Sequence, residues 1–258
     1  MNKLQKLFSH KRNDLLSLFF TAGYPHLEDT GSIILESQKQ GIDFLEVGMP
    51  YSDPLADGPV IQQSSTVAIA NGMTIEKLFA QLQSIKGEVE IPMVLMGYLN
   101  PVLQYGTEKF LENAASCGVS GLILPDLPVK EYVEEYKPLL KKYNMSFIFL
   151  ITPQTNPERI RMIDDNSDAF IYVVSSAATT GKQSAFGEAQ QSYFQRISEM
   201  GLQNRLIAGF GIHNEQTLQQ AWKSLDGAIC GSAFLKKLAV HKNASEAIQF
   251  LRHDLGVM

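Results

Sequence analysis

Eight short, continuous apolar runs recur along the chain, each about the length of a buried strand. They are Leu15–Thr21, Phe44–Val47, Met93–Met96, Gly121–Leu124, Phe147–Ile151, Ala169–Val174, Arg205–Ala208 and Gly227–Cys230. They do not alternate apolar with polar residues, and uninterrupted apolarity is how a strand covered on both faces reads. Between them lie stretches with the three-and-four spacing of an amphipathic helix. Glu28–Gln40 sets Ile33, Ile34, Ser37 and Gly41 on one side; Thr107–Cys117 groups Phe110, Leu111 and Ala114; Ser192–Met200 groups Phe194, Ile197 and Met200. Asn156-Pro157 places proline at a first helical turn, and Thr74 stands before a helical stretch with Lys77 three residues on.

Strands that alternate with helices imply parallel strands joined by crossover helices. Eight such units predict an α/β chain closed into a single (β/α)₈ TIM barrel, and the 258 residues match the roughly 250 typical of that fold. The competing architecture, an open doubly wound sheet, has five or six strands and a ligand at its switch point. No proline- or serine-rich linker interrupts the rhythm, so residues 1–258 read as one barrel domain. An extra N-terminal helix, Asn2–Arg12, precedes the first strand and is placed to plug the N-terminal face of the barrel. The longest connection joins the second and third runs and opens with the polar loop Pro50–Pro59.

Composition narrows the function classes. Apolar residues make up 45% of the chain and charged residues 19%, a globular balance with a sizeable core. The net charge of −5 argues against a general nucleic-acid binder, which carries a basic stripe. It does not argue against a small anion, which backbone amides can hold. Cys117 and Cys230 are too few for a disulfide scaffold or a structural zinc site and read as reduced core residues. The polar N-terminus has no signal-peptide core, and no apolar run approaches the roughly 18 residues of a membrane span. The expectation is a soluble, cytoplasmic protein.

In such barrels the chemistry lies at the C-terminal ends of the strands. Glu46 is the informative residue there. It interrupts the apolar run Phe44-Leu45-Glu46-Val47, and the strand period of two sets it opposite Leu45 and Val47. Pointing into the barrel mouth, it would be desolvated and poised to exchange a proton. The alternative is a structural carboxylate with a buried partner. Asp57 before Gly58 and Asp53 before Pro54 each read equally as turn residues.

Gly209, Gly211 and Gly231 stand at the ends of the last two runs, where barrels often bind phosphate with the help of a short extra helix; Gly231-Ser232-Ala233 is positioned to begin one. Gly-Phe-Gly lacks the third glycine of a dinucleotide fingerprint. The five histidines are scattered, no nucleophile elbow or Walker loop occurs, and no lysine lies within a predicted strand. A carbon–carbon cleavage here would need a substrate that carries its own electron sink.

The run Glu46-Val47-Gly48-Met49-Pro50-Tyr51-Ser52-Asp53-Pro54-Leu55-Ala56-Asp57-Gly58-Pro59-Val60-Ile61-Gln62 resembles the signature of the tryptophan synthase α chain. Met96-Gly97-Tyr98 with Asn100-Pro101, Thr179-Thr180-Gly181, Gly209-Phe210-Gly211-Ile212 and Gly231-Ser232-Ala233 follow in that family's order across nearly the whole chain. The resemblance implies retro-aldol cleavage of indole-3-glycerol phosphate to indole and glyceraldehyde 3-phosphate in tryptophan biosynthesis. Its catalytic pair falls on Glu46 and Asp57. Phe19, Tyr98 and Tyr172 match positions around the indole, Gly181, Gly211, Gly231 and Ser232 match the phosphate site, and Phe210 is a further substrate-binding position. Thr180 matches a threonine of the segment Ser176–Ser184, which reads as a lid over the site.

That segment departs from the family, whose loop reads closer to Arg/Ser-x-Gly-Val-Thr-Gly than to Ser176-Ala177-Ala178-Thr179-Thr180-Gly181. The resemblance also implies an α2β2 tetramer with a β chain. That partner, and not this chain, would carry pyridoxal phosphate; Pro50, Asp53 and Asp126 match positions at or near the interface. A stand-alone indole-releasing lyase, or a non-catalytic barrel that binds phosphorylated indole and regulates its partner, are the alternative readings.

Overall fold

The computed structural model describes residues 1–175 and 185–257. It opens with α1 (Lys3–His10), whose N-cap Asn2 accepts the Gln5 amide at 2.9 Å while the Gln5 side chain accepts the Asn2 amide at 3.1 Å. This reciprocal capping satisfies two otherwise orphaned donors. The buried Phe8 of α1 meets Phe44 and Phe170 edge-on, with ring centroids 5.9 and 5.7 Å away.

Among the described residues nine strands follow: β1 (Leu15–Thr21), β2 (Phe44–Gly48), β3 (Met93–Met96), β4 (Gly121–Ile123), β5 (Ser146–Phe147), β6 (Phe149–Ile151), β7 (Phe170–Val174), β8 (Arg205–Gly209) and β9 (Gly227–Cys230). They form one parallel sheet in the order β5-β4-β3-β2-β1-β9-β8-β7-β6. Its two edges, β5 and β6, are consecutive in the chain. Only Ile148 separates them, and its amide donates to Leu122 at 3.0 Å. The run expected as one fifth strand therefore bonds β4 with its first half and β7 with its second. That switch brings the sheet round into a barrel. Phe44 and Phe170 are the first residues of β2 and β7, so Phe8 stoppers the N-terminal mouth, as the extra helix was expected to do.

The outer layer comprises α2 (Asp29–Lys39), α3 (Pro59–Ala70), α4 (Ile75–Ile85), α5 (Leu99–Tyr105), α6 (Thr107–Ser116), α7 (Val129–Glu131), α8 (Lys137–Lys142), α9 (Pro157–Asn166), α10 (Glu188–Ser198), α11 (Glu215–Trp222), α12 (Ser232–Val240) and α13 (Ala244–Asp254). The long connection between β2 and β3 resolves into α3 and α4. Thr74 caps α4 by accepting the Lys77 amide at 3.2 Å, and Asn156 caps α9 through Arg159 at 2.8 Å. Between α7 and α8 the helix widens into a π-turn, Tyr132–Tyr136. Pro138, just beyond it, has no amide to continue the α ladder.

One expected helix is displaced. Ser192–Met200 begins four residues earlier in the chain, at Glu188, and ends at Ser198. The extended Gly187 starts it without any side-chain cap, so the only start signals there are the glycine itself and the acidic Glu188 after it.

The alternation of each strand sorts core from mouth. Phe44, Glu46 and Gly48 share the inner face of β2, whereas the fully buried Leu45 and Val47 turn to the opposite face. Phe170, Tyr172 and Val174 share the inner face of β7 by the same argument. The Phe44 and Phe170 rings, 5.5 Å apart, fill the floor. Glu46 and Tyr172 stand one step nearer the C-terminal rim.

Candidate active site

Glu46 lies mid-strand in β2, paired across to Phe19 of β1 and Val94 of β3. It is 1% exposed, and neither carboxyl oxygen has a hydrogen-bond partner among the described residues. A charge left unpaired in such a place costs far more than a neutral acid. Burial, with the charge of Asp57 adding to it, pushes the Glu46 carboxyl up to about 8.

Asp57 approaches from the loop that joins β2 to α3. Its amide donates to Pro54 at 3.0 Å, and the Gln62 side chain of α3 donates to its carbonyl at 2.9 Å. The turn reading of Asp57 therefore holds for its backbone. Its side chain does something further: the Tyr98 hydroxyl donates to Oδ2 at 3.1 Å and accepts the Ala56 amide at 3.0 Å. Burial lifts the Asp57 carboxyl to about 6, and the Tyr98 hydrogen bond holds it from rising further. The two acids are thus set apart. Between these values Asp57 is a carboxylate and Glu46 a neutral acid, the division of labour that acid–base sites use.

A recess beside Asp57 is lined by Phe19, Tyr51, Ile61, Met96 and Tyr98; the buried Glu46 does not line it but pairs in the sheet with Phe19 of its wall. Tyr51 packs on Tyr98 with ring centroids 5.2 Å apart. Beside it, Tyr172 is buried, and burial followed by the charges of Glu46 and Asp57 pushes its phenol well above the usual range. It stays protonated and within electrostatic reach of both carboxyls. Gly209 makes this possible: a Cβ there would fall 1.8 Å from the Tyr172 ring. The Tyr172 and Phe210 rings meet edge-on at 6.2 Å.

At the ends of β8 and β9 the chain turns sharply. Phe210 and Gly211 both take left-handed backbone, with φ of 66° and 78°. Phe210, a residue that rarely adopts this conformation, is held there in part by the Ser175 hydroxyl, which donates to its carbonyl at 2.8 Å. Gly231 precedes α12, which has no side-chain cap, and Ser232 is exposed at its first turn. A Cβ on Gly231 would sit 3.4 Å from Phe19, so the uncapped helix start adjoins the recess.

Of the residues expected from sequence, Glu46, Asp57, Phe19, Tyr98 and Tyr172 converge on one mouth, with Phe210, Gly211, Gly231 and Ser232 along its rim. Thr180 and Gly181, and with them the expected lid Ser176–Ser184, lie outside the described residues. Pro50 is half-buried, and Asp53 is exposed and accepts the Ser52 hydroxyl. Asp126, also exposed, accepts the Leu99 amide with both oxygens at 3.0 Å.

The sequence reading passed over Tyr51 and Met96, which line the recess, and Thr21, bonded to Ser64 at 2.6 Å. The strand period offers a signal for two of them, since Thr21 shares a face with Phe19 and Met96 with Val94. Cys117 and Cys230 are buried free thiols, as expected. Among the described residues no group of three or more His, Cys, Asp or Glu side chains gathers as a metal site, and no helix is long and apolar enough to cross a membrane.

Comparison with known proteins agrees with this fold. The family model for the tryptophan synthase alpha chain matches residues 4–254. The tryptophan synthase alpha chain of Flavobacterium johnsoniae is 55% identical over 240 residues, covering 93% of this chain and 94% of that one. The solved structure of tryptophan synthase subunit alpha from Legionella pneumophila superposes with a TM-score of 0.87 at 30% identity, covering 99% of this chain and 97% of that one. A chain of the tryptophan synthase complex from Pyrococcus furiosus gives 0.83 at 28% identity, with 95% and 97% covered. With the family model spanning nearly its whole length, this chain belongs to the tryptophan synthase alpha chain family.

Proposed function

We propose that the chain is a lyase that cleaves indole-3-glycerol phosphate to indole and glyceraldehyde 3-phosphate, with Glu46 as the proton carrier and Asp57 as the fixed carboxylate. The observation that carries the assignment of roles is the separation of the two acids, Glu46 raised to about 8 and Asp57 to about 6, with Asp57 and Phe19, the strand neighbour of Glu46, both lining one aromatic recess.

The neutral Glu46 gives its proton to indole C3. The ring becomes cationic, and Asp57 accepts the indole N–H hydrogen bond where positive charge develops. The bond from C3 to the glycerol carbon then breaks and its electron pair returns to the ring, restoring indole. The hydroxyl on that carbon becomes an aldehyde and releases its proton to Glu46. One proton leaves the enzyme and one comes back, so the acid is regenerated within the cycle. The substrate's own ring accepts the electrons.

Phe19, Tyr98, Tyr172 and Phe210 are the aromatic walls of this reading. Gly211, Gly231 and Ser232, with the uncapped start of α12, receive the phosphate; Thr180 and Gly181 join the site by resemblance. The whole chain, 1–258, acts as one barrel domain. It works in the cytoplasm as the α subunit of an α2β2 tetramer. Pro50, Asp53 and Asp126 lie toward the β chain, which carries the pyridoxal phosphate and takes the indole. Indole release from indole-3-glycerol phosphate by the purified chain, alone and with the β chain, tests the reading. Release that the β chain accelerates supports it, and no release in either case overturns it.

A further inference from the structure

Tyr98 occupies the N-cap position of α5, where Ser, Thr, Asp or Asn ordinarily accepts an amide of the first turn. Its backbone takes the extended form usual at that position, with φ −112° and ψ 155°, but its side chain makes no cap. The phenol instead reaches away to Asp57 and the Ala56 amide. The missing acceptor comes from another strand. Asp126, in the turn that leaves β4, takes the Leu99 amide with both carboxyl oxygens at 3.0 Å. That turn is itself fixed. Leu127 is buried, its amide donates to Leu124 at 3.1 Å, and Pro125 and Pro128 flank it.

We infer that Asp126 is a positioning residue for the reaction: by holding the Leu99 amide it sets the start of α5, and through it the Tyr98 hydroxyl that orients Asp57. A tyrosine at a helix start cannot both cap its helix and reach across the mouth. Asp126 takes over the first task and leaves Tyr98 free for the second. The titratable groups that face Asp57 are Glu46 from β2, Tyr98 from the start of α5 and Tyr172 from β7, with Asp126 behind Tyr98. Of these, Tyr98 supplies the hydrogen bond that stabilises the Asp57 carboxylate. Loosening it raises the pH at which Asp57 ionises. This inference rests on the proposed lyase activity.

The test is kcat/KM against pH for indole release by the full chain with saturating β chain, so that any loss of partner affinity drops out. Asp126→Ala should move the acid limb up by about half a pH unit or more, the scale of one hydrogen bond to a carboxylate. Asp126→Asn keeps an acceptor oxygen and should leave the limb near the wild-type position. Leu99→Pro deletes the same hydrogen bond from the donor side at a position that tolerates proline, and should reproduce the shift even where Asp126→Ala fails to fold. Asp126→Ala combined with Tyr98→Phe should move the limb no further than Tyr98→Phe alone. A limb that stays in place in Asp126→Ala and Leu99→Pro, or shifts that add in the double variant, would overturn the inference while an active wild type leaves the lyase reading intact. A wild type that releases no indole fails the lyase reading itself.

Discussion

The Tyr98 hydroxyl stands between the Ala56 amide and the Asp57 carboxylate, accepting from the first at 3.0 Å and donating to the second at 3.1 Å. It fixes the direction of its own proton, since an oxygen that receives the amide turns its hydrogen toward the acid. The loop after β2 is thereby tied to β3, and the carboxylate opposite Glu46 gains a donor that favours its charged form. The activity should follow a bell in pH, rising as Asp57 ionises near 6 and falling as Glu46 loses its proton near 8. Tyr98→Phe should move the rising limb upward and leave the falling limb in place. Steady-state indole release across pH 5 to 9 measures both, and a movement of the falling limb alone would count against this arrangement.

Glu46→Gln removes the transferable proton while keeping the shape of the side chain. Turnover should fall by about 10² or more, the usual weight of general acid–base catalysis, with KM little changed. Near-normal turnover in a steady-state assay would show that some other group carries the proton.

The same substitution should change stability in a pH-dependent way. The folded Glu46 carboxyl is raised from 4.5 to about 8, so below 4.5 both folded and unfolded chains hold the proton and its contribution is fully present. As pH rises toward 8 the unfolded chain gives up the proton and the folded one keeps it, so stability is progressively lost. Glu46→Gln has no proton to lose and should be more stable than wild type at pH 8, by up to about 4 kcal/mol from the size of the shift. Urea unfolding at pH 5 and pH 8 provides the check: a variant minus wild-type stability difference that does not grow with pH contradicts the buried neutral acid.

Gly211→Val and Gly231→Val should raise KM for the phosphorylated substrate. A side chain at 211 meets Phe186 at 2.9 Å and must also adopt a φ of 78°; at 231 it meets Phe19 at 3.4 Å, ordinary contact distance, so the fold should survive there. Inorganic phosphate or sulfate should compete with substrate in the wild type and raise its Tm. If neither anion inhibits or protects, the start of α12 does not hold the phosphate.

Much of the barrel was legible because burial on both faces leaves a plain mark. Leu15–Thr21, Met93–Met96 and Gly227–Cys230 coincide with β1, β3 and β9. The fifth run is apolar throughout, yet apolarity does not say which neighbour a residue bonds, so the switch at Ile148 was not readable. Glu46 announced itself as a lone charge within an apolar strand. Asp57 did not, because Asp before Gly is an ordinary turn pair; only its burial and the Tyr98 bond, which joins residues 41 apart, distinguish it. Asp126 carried no local sign of its bond to Leu99 for the same reason: the two meet only once β3 and β4 lie side by side.

The central claim is that at neutral pH Glu46 is a neutral acid beside an ionised Asp57. Infrared difference titration of the carboxylic-acid carbonyl band, with Glu46→Gln and Asp57→Asn to assign it, measures this directly. The account predicts a protonated carboxyl that persists at pH 7, disappears near pH 8 and is absent from Glu46→Gln, with a second acid titrating near pH 6 that Asp57→Asn removes. A wild type with no protonated carboxyl at pH 7, or one that vanishes in Asp57→Asn and survives in Glu46→Gln, would contradict it.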